Sequence, residues 1–387
     1  MNSDAAHTAA TAALGGPATA TTPASLADAQ TAIPRLPDHL VVALILRSEN
    51  FDDPADLARL PAVSRAMRAA VAATGLQFAE LGEDEAAMLG GLSALRRLQR
   101  GGRLSRQEYL CAAAARSGQL EELKVLRADG TPWDKDTCSY AAFGRHLEVL
   151  QWLRANGCLW HEETCSLAAA CGHLEVLQWA RANGCPWDEE TCMYAARGGH
   201  LEVLQWARAN GCPWDGDTCM YAAEGGHLEV LQWARTNGCP WHEETCSLAA
   251  ACGHLEVLQW TRENDCLWDG DTCSDAAEGG HLEVLQWARA NGCPLAENAL
   301  FIAAELGHET VVRALIEFGA DVNMARDNGV TPLYIAAQNG HETVVRALIE
   351  ASADVNKAAD NGGTPLCIAA LWGREAIVHI LKDAGAV

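Results

Sequence analysis

Sixteen cysteines, thirteen tryptophans and thirteen histidines give this 387-residue chain an unusual store of thiol, indole and imidazole groups. Their spacing is regular. Thr-Cys recurs at 137/138, 164/165, 191/192, 218/219, 245/246 and 272/273, and Gln-Trp takes the same 27-residue step at Trp152, Trp179, Trp206, Trp233, Trp260 and Trp287. Thiolates and imidazoles could ligate zinc, but zinc sites draw on closely spaced pairs such as Cys-x2-Cys. The tightest cysteine spacings are six residues, as from Cys165 to Cys171, and seven, as from Cys158 to Cys165. Cys171-Gly172-His173 puts two ligand types side by side, yet most units keep the His and replace that Cys by Gly. Disulfides along one column are also excluded. Equivalent cysteines in stacked units would lie about 9–10 Å apart, the packing distance of helices, whereas the Cα atoms of a disulfide must be within about 7 Å. Free Cys is among the most buried residue types and behaves as a small hydrophobe. Both the cysteine and the tryptophan columns are therefore expected to be core, with the thiols free and no metal bound.

Carboxylates form a second pattern. Between Trp and Thr the units carry Asp134 and Asp136, Glu162 and Glu163, Asp188, Glu189 and Glu190, Asp215 and Asp217, Glu243 and Glu244, and Asp269 and Asp271. Each group falls just before a predicted helix, where negative charge meets the positive end of the helix dipole and contributes ~0.3–1 kcal/mol. The same residues also make an acidic ladder along one edge, with rungs about a Debye length (~8 Å) apart. Such a ladder would attract a protein partner with a basic patch. Asp215-Gly216-Asp217 opens like a calcium loop, but Gly226 stands where the bidentate Glu is needed, so calcium is not expected.

No nucleophile–base pair, phosphate-binding Gly-rich loop or metal cluster appears, so neither catalysis nor a cofactor is expected. The net charge of −23 repels phosphate backbones and argues against a nucleic-acid partner. No apolar run approaches the ~18–20 residues of a membrane-spanning helix. Residues 1–33 are mostly Ala, Thr, Ser and Pro without Lys or Arg, unlike a signal or transit peptide. They read as a disordered tail, and a cytoplasmic and/or nuclear location is expected.

The elements that position these groups follow from the period. Residues 161–181 recur at 242–262 with only Ala180 changed, to Thr261, and a weaker copy begins earlier at Cys111. Within one unit an Ala-rich helix is predicted from about Thr164 to Cys171, ended by Gly172. A second helix follows, with Leu174, Val176, Leu177 and Ala180 spaced to bury one face. Gly184 caps it in the left-handed conformation and Pro186 prevents continuation.

After residue 298 the period lengthens to 33, from Thr331 to Thr364. Thr331-Pro332-Leu333, Ala336-Ala337, Gly340-His341, Val344-Val345 and Gly319-Ala320-Asp321-Val322-Asn323 resemble the ankyrin repeat family; Tyr334 and Cys367 stand at the family's usual His position. Aligned on Gly-His, the short units match the long ones except for six residues missing where an ankyrin repeat projects its β-hairpin finger. The resemblance implies an all-α, ankyrin-type helix-turn-helix solenoid. Seven 27-residue units would span 108–298 and three 33-residue repeats 299–387.

Before the repeats, Leu36-Pro37, Leu40, Ile45, Asp56-Leu57, Leu60 and Val63-Ser64-Arg65 resemble an F-box, with Met67 where that family usually has Trp. The resemblance implies a helical module at 34–75 that docks on a Skp-type adaptor of a cullin–RING ubiquitin ligase. Leu36, Pro37, Leu40, Ile45, Leu57, Leu60 and Val63 would make the contact, and the repeats would bind the substrate protein. The alternative is a plain ankyrin scaffold whose N-terminal helices act only as a cap. Residues 76–107, with Leu92, Leu95 and Leu98, are expected to form a helical linker and cap, since a terminal repeat otherwise exposes its apolar face.

Overall fold

The computed structural model describes residues 82–268 and 270–387. The tail at 1–33 and the F-box-like module at 34–75 lie outside the described residues. Among the described residues there are twenty-two α-helices and no strand. None of these helices is long and apolar enough to cross a membrane. The described residues divide into two compact units, 82–113 and 114–387.

The first unit contains α1 (Glu83–Met88) and α2 (Leu92–Arg100), and α3 (Glu108–Arg116) begins within it. Leu92, Leu95 and Leu98 are buried, as their helical spacing requires. Glu83 accepts from the Ser105 backbone N–H at 2.7 Å, and the Tyr109 hydroxyl donates to Asp84 at 2.5 Å.

The second unit opens with α4 (Leu120–Ala128) and continues as helix pairs. They are α5 (Asp136–Phe143) with α6 (Leu147–Ala155), α7 (Glu163–Ala170) with α8 (Leu174–Ala182), and α9 (Glu189–Arg197) with α10 (Leu201–Ala209). Next come α11 (Gly216–Glu224) with α12 (Leu228–Thr236), α13 (Thr245–Ala251) with α14 (Leu255–Glu263), and α15 (Gly270–Glu278) with α16 (Leu282–Ala290). Three more pairs complete it: α17 (Ala299–Leu306) with α18 (Glu309–Glu317), α19 (Pro332–Asn339) with α20 (Glu342–Glu350), and α21 (Pro365–Leu371) with α22 (Glu375–Asp383).

Each first helix packs on the first helices of the neighbouring pairs and on its own second helix. Small side chains make this possible: Ala168, Ala169, Ala195 and Ala196 are fully buried, which lets the axes approach closely. Second helices turn Val176, Leu177 and Ala180, and their equivalents, onto that layer. The result is an all-helical solenoid of stacked helix-turn-helix pairs, consistent with ankyrin repeats.

The Gly-His turns lock successive pairs together. Gly172 has φ +72°, and a Cβ there would lie 2.6 Å from Nδ1 of His200 in the next unit. Only glycine satisfies both constraints. His200 Nε2 in turn donates to the Ala170 carbonyl at 3.0 Å. The same bond recurs from His173 to Phe143 at 3.1 Å, from His227 to Arg197 at 3.0 Å and from His254 to Glu224 at 3.0 Å. Each of these histidines ties its turn to a backbone carbonyl of the preceding unit.

In the long repeats Thr331 Oγ1 accepts from the Tyr334 N–H at 3.2 Å, capping α19. The loops before α19 and α21 turn back on themselves through Arg326 N–H to Val330 O at 3.0 Å and Ala359 N–H to Gly363 O at 2.9 Å. Asp360 N–H donates across to Asn328 O at 3.0 Å, joining the two fingers. The 27-residue units lack the residues to build such fingers.

Candidate functional site

The acidic residues lie along one edge of the second unit, at the entrances of its first helices. Asp136, Glu163, Glu189, Glu190, Asp217 and Asp271 fall in first turns of α5, α7, α9, α11 and α15. Glu243 and Glu244 immediately precede α13, which has no acid in its first turn. Asp134 accepts from the Thr137 N–H at 3.2 Å, and Asp215 from the Asp217 N–H at 3.1 Å. These two side chains cap helix ends directly. Asp188 occupies the cap position of α9 in extended backbone but makes no side-chain cap bond. Asp269 lies outside the described residues.

Few basic side chains approach this edge. His161 lies 3.4 Å from Asp136, His242 lies 3.6 Å from Asp217, and Lys135 is 3.9 Å from Glu162. Around α9 the carboxylates repel one another. Partial burial, and then Glu189, hold the Asp188 carboxyl above the usual carboxylate range. Glu190 is likewise pushed up, first by partial burial and then by Asp188, with Glu163 and Glu162 of the preceding unit adding to it. Like charges on successive rungs are thus close enough to sense each other.

Beside the acids runs an aromatic ladder whose pairing the periodicity did not disclose. Each loop Trp meets edge-on the second-helix Trp that lies 19 residues further along. Ring centroids are 5.8 Å apart for Trp187 and Trp206, 5.8 Å for Trp214 and Trp233, and 6.0 Å for Trp160 and Trp179. An arginine covers each loop Trp: Arg181 stands 3.9 Å over Trp187, and Arg208 4.1 Å over Trp214. Such cation–π stacks contribute about 0.5–2 kcal/mol each. The expectation of full burial needs correcting here, because every Trp of this ladder retains some exposure. On the second helix, Trp179 is three residues, about 300°, beyond the inward-facing Val176, and so about 60° outside it on the helix circumference. That places it at the margin of the apolar stripe, where it closes the core edge.

The cysteines are where the columns put them. None of the sixteen cysteines, all of them among the described residues, forms a disulfide, and Cys138, Cys165, Cys185, Cys192 and Cys212 are buried. Cys171 is partly exposed, while Cys252 and Cys367 are exposed. Among the described residues no group of three or more His, Cys, Asp or Glu side chains is arranged to hold a metal ion. The proposed adaptor contacts Leu36, Pro37, Leu40, Ile45, Leu57, Leu60 and Val63 lie outside the described residues.

A family model described as ankyrin repeats (3 copies) matches residues 273–359 and 300–387. No curated protein matches the chain. Ankyrin repeats are therefore present from Cys273, inside the last 27-residue unit, to the C-terminal residue. Such repeats have a protein–protein interaction role and are typically non-enzymatic binding scaffolds.

Proposed function

We propose that this protein is a non-catalytic binding subunit that holds a protein partner bearing a basic patch along its acidic edge. The carrying observation is the cluster around α9, where partial burial and mutual repulsion keep Asp188 and Glu190 above the usual carboxylate range. A cationic partner would relieve that repulsion. The test is binding of a Lys/Arg-rich peptide array to the full chain at low and high salt. Glu162→Gln, Glu163→Gln, Asp188→Asn, Glu189→Gln and Glu190→Gln together should weaken binding several-fold and flatten its salt dependence. Equal binding by the neutralised variant would sink this reading.

We infer further that the chain is the substrate-recognition subunit of a cullin–RING ubiquitin ligase. What supports this is the F-box resemblance in 34–75, from Leu36-Pro37 to Val63-Ser64-Arg65. In this role Leu36, Pro37, Leu40, Ile45, Leu57, Leu60 and Val63 contact a Skp-type adaptor. Capture of a Skp-type adaptor by the full chain is the direct test. Leu40→Asp with Ile45→Asp should abolish it, since unpaired charges buried in that contact cost several kcal/mol. If the wild-type chain captures no adaptor, the plain scaffold reading stands and the N-terminal helices serve only as a cap.

A further inference from the structure

The 27-residue units bring their cysteines together across columns. Cys246 Sγ and Cys266 Sγ are 3.1 Å apart and buried. The same 20-residue step separates Cys138 from Cys158, Cys165 from Cys185, Cys192 from Cys212, Cys219 from Cys239 and Cys273 from Cys293. In each of these five pairs the neighbouring loop thiol is the largest influence pushing the first-helix thiol above its usual range. One sulfur sits on the first helix of a unit and the other in the loop after its second helix. Only Cys111, Cys171, Cys252 and Cys367 stand outside this arrangement.

We propose that these pairs are redox-modification sites, in which hydrogen peroxide converts each buried dithiol to a disulfide stapling a first helix to the loop after its second helix. A disulfide needs its sulfurs about 2.05 Å apart, so closing the Cys246–Cys266 pair takes an approach of about 1 Å. Metal ligation fits less well, because each pair supplies two sulfurs and no third ligand joins them among the described residues.

At three pairs the local chemistry assigns the order of events; at Cys246–Cys266 the loop thiol is instead pushed up, first by its partner thiol and then by burial. At Cys158, Cys212 and Cys239 a hydrogen bond from the partner thiol holds the loop thiol below its usual range, and a nearby arginine adds to the effect. Cys212 lies between exposed Gly211 and Pro213, so a small local opening exposes its sulfur. The loop thiolate attacks the peroxide O–O bond, gaining a hydroxyl as a sulfenic acid, while the other oxygen leaves as hydroxide and takes up the released proton as water. The helix thiol then attacks that sulfur. An S–S bond forms, the S–O bond breaks and a second water departs. Two electrons pass from the dithiol to the peroxide, and a thiol reductant reverses the change.

The test treats the reduced full chain, prepared under argon, with hydrogen peroxide under native conditions. Remaining thiols are alkylated, and disulfide-linked peptides are mapped by mass spectrometry. Links should join each helix cysteine to the one 20 residues on, with two hydrogens lost per pair, and dithiothreitol should restore the thiols. Cys192→Ser should remove the Cys192–Cys212 link and leave the others. Hydrogen exchange should slow in the stapled units. The proposal is overturned if links form only among Cys171, Cys252 and Cys367. It is equally overturned if the paired thiols remain fully alkylatable after peroxide, or if their links require a denaturant.

Discussion

Replacing Trp206 by Ala tests how the solenoid distributes its stability. The indole meets Trp187 edge-on at 5.8 Å with planes at 66°, and Arg181 covers Trp187 from 3.9 Å. A tryptophan buries about 150–250 Å², and this one keeps some exposure. Truncation therefore returns roughly 100 Å² of apolar contact, about 2.5 kcal/mol at about 25 cal/mol per Å². Loss of the edge-to-face pair adds about 0.5–1.5 kcal/mol. The total, about 3–4 kcal/mol, lies at the lower end of what a fully enclosed aromatic loses, because water can enter the open edge and no closed cavity remains. Each repeat touches only its neighbours, so the loss stays local. Hydrogen exchange should show amides of α9 to α12 losing protection while α19 to α22 keep most of theirs. In a cycle with Trp187→Ala, the two substitutions should couple by about 0.5–1.5 kcal/mol. Unchanged protection together with loss of partner binding would refute the packing argument and make Trp206 a recognition residue.

Two further experiments probe the turns. Burial holds His173 and His227 below the usual imidazole range, so the unfolded chain binds more protons than the folded one just below about pH 6.5. Their contribution is complete above that pH and is lost as pH falls; urea midpoints at pH 7.5 and 5.5 should therefore separate more in the wild type than in His173→Gln with His227→Gln. Arg145 holds φ +63° at the position where the other 27-residue units have Gly, as at Gly172, Gly199 and Gly226; Arg145→Gly should raise stability by about 1 kcal/mol through relief of left-handed backbone strain, and a lower melting temperature would contradict this.

Much of the fold could be read from residue spacing. Helix lengths, their Gly-His and Gly-Cys boundaries and the buried Val176, Leu177 and Ala180 stripe all follow from local periodicity and backbone preference. These operate over three to seven residues. The tendency of free cysteine to behave as a small buried hydrophobe likewise located Cys165 and Cys185 in the core. The acidic edge was visible because its carboxylates recur between Trp and Thr at the entrance of each first helix from α5 to α15; the like-charge cluster around Glu190 required the stacking of one unit on the next. The meeting of cysteines 20 residues apart, and of tryptophans 19 apart, depended on tertiary structure. Helical periodicity says which side of a helix a residue faces, but how a loop folds back over the helix pair is decided by packing between elements. For this reason spacing excluded disulfides along a column yet gave no sign of the thiol pairs between columns.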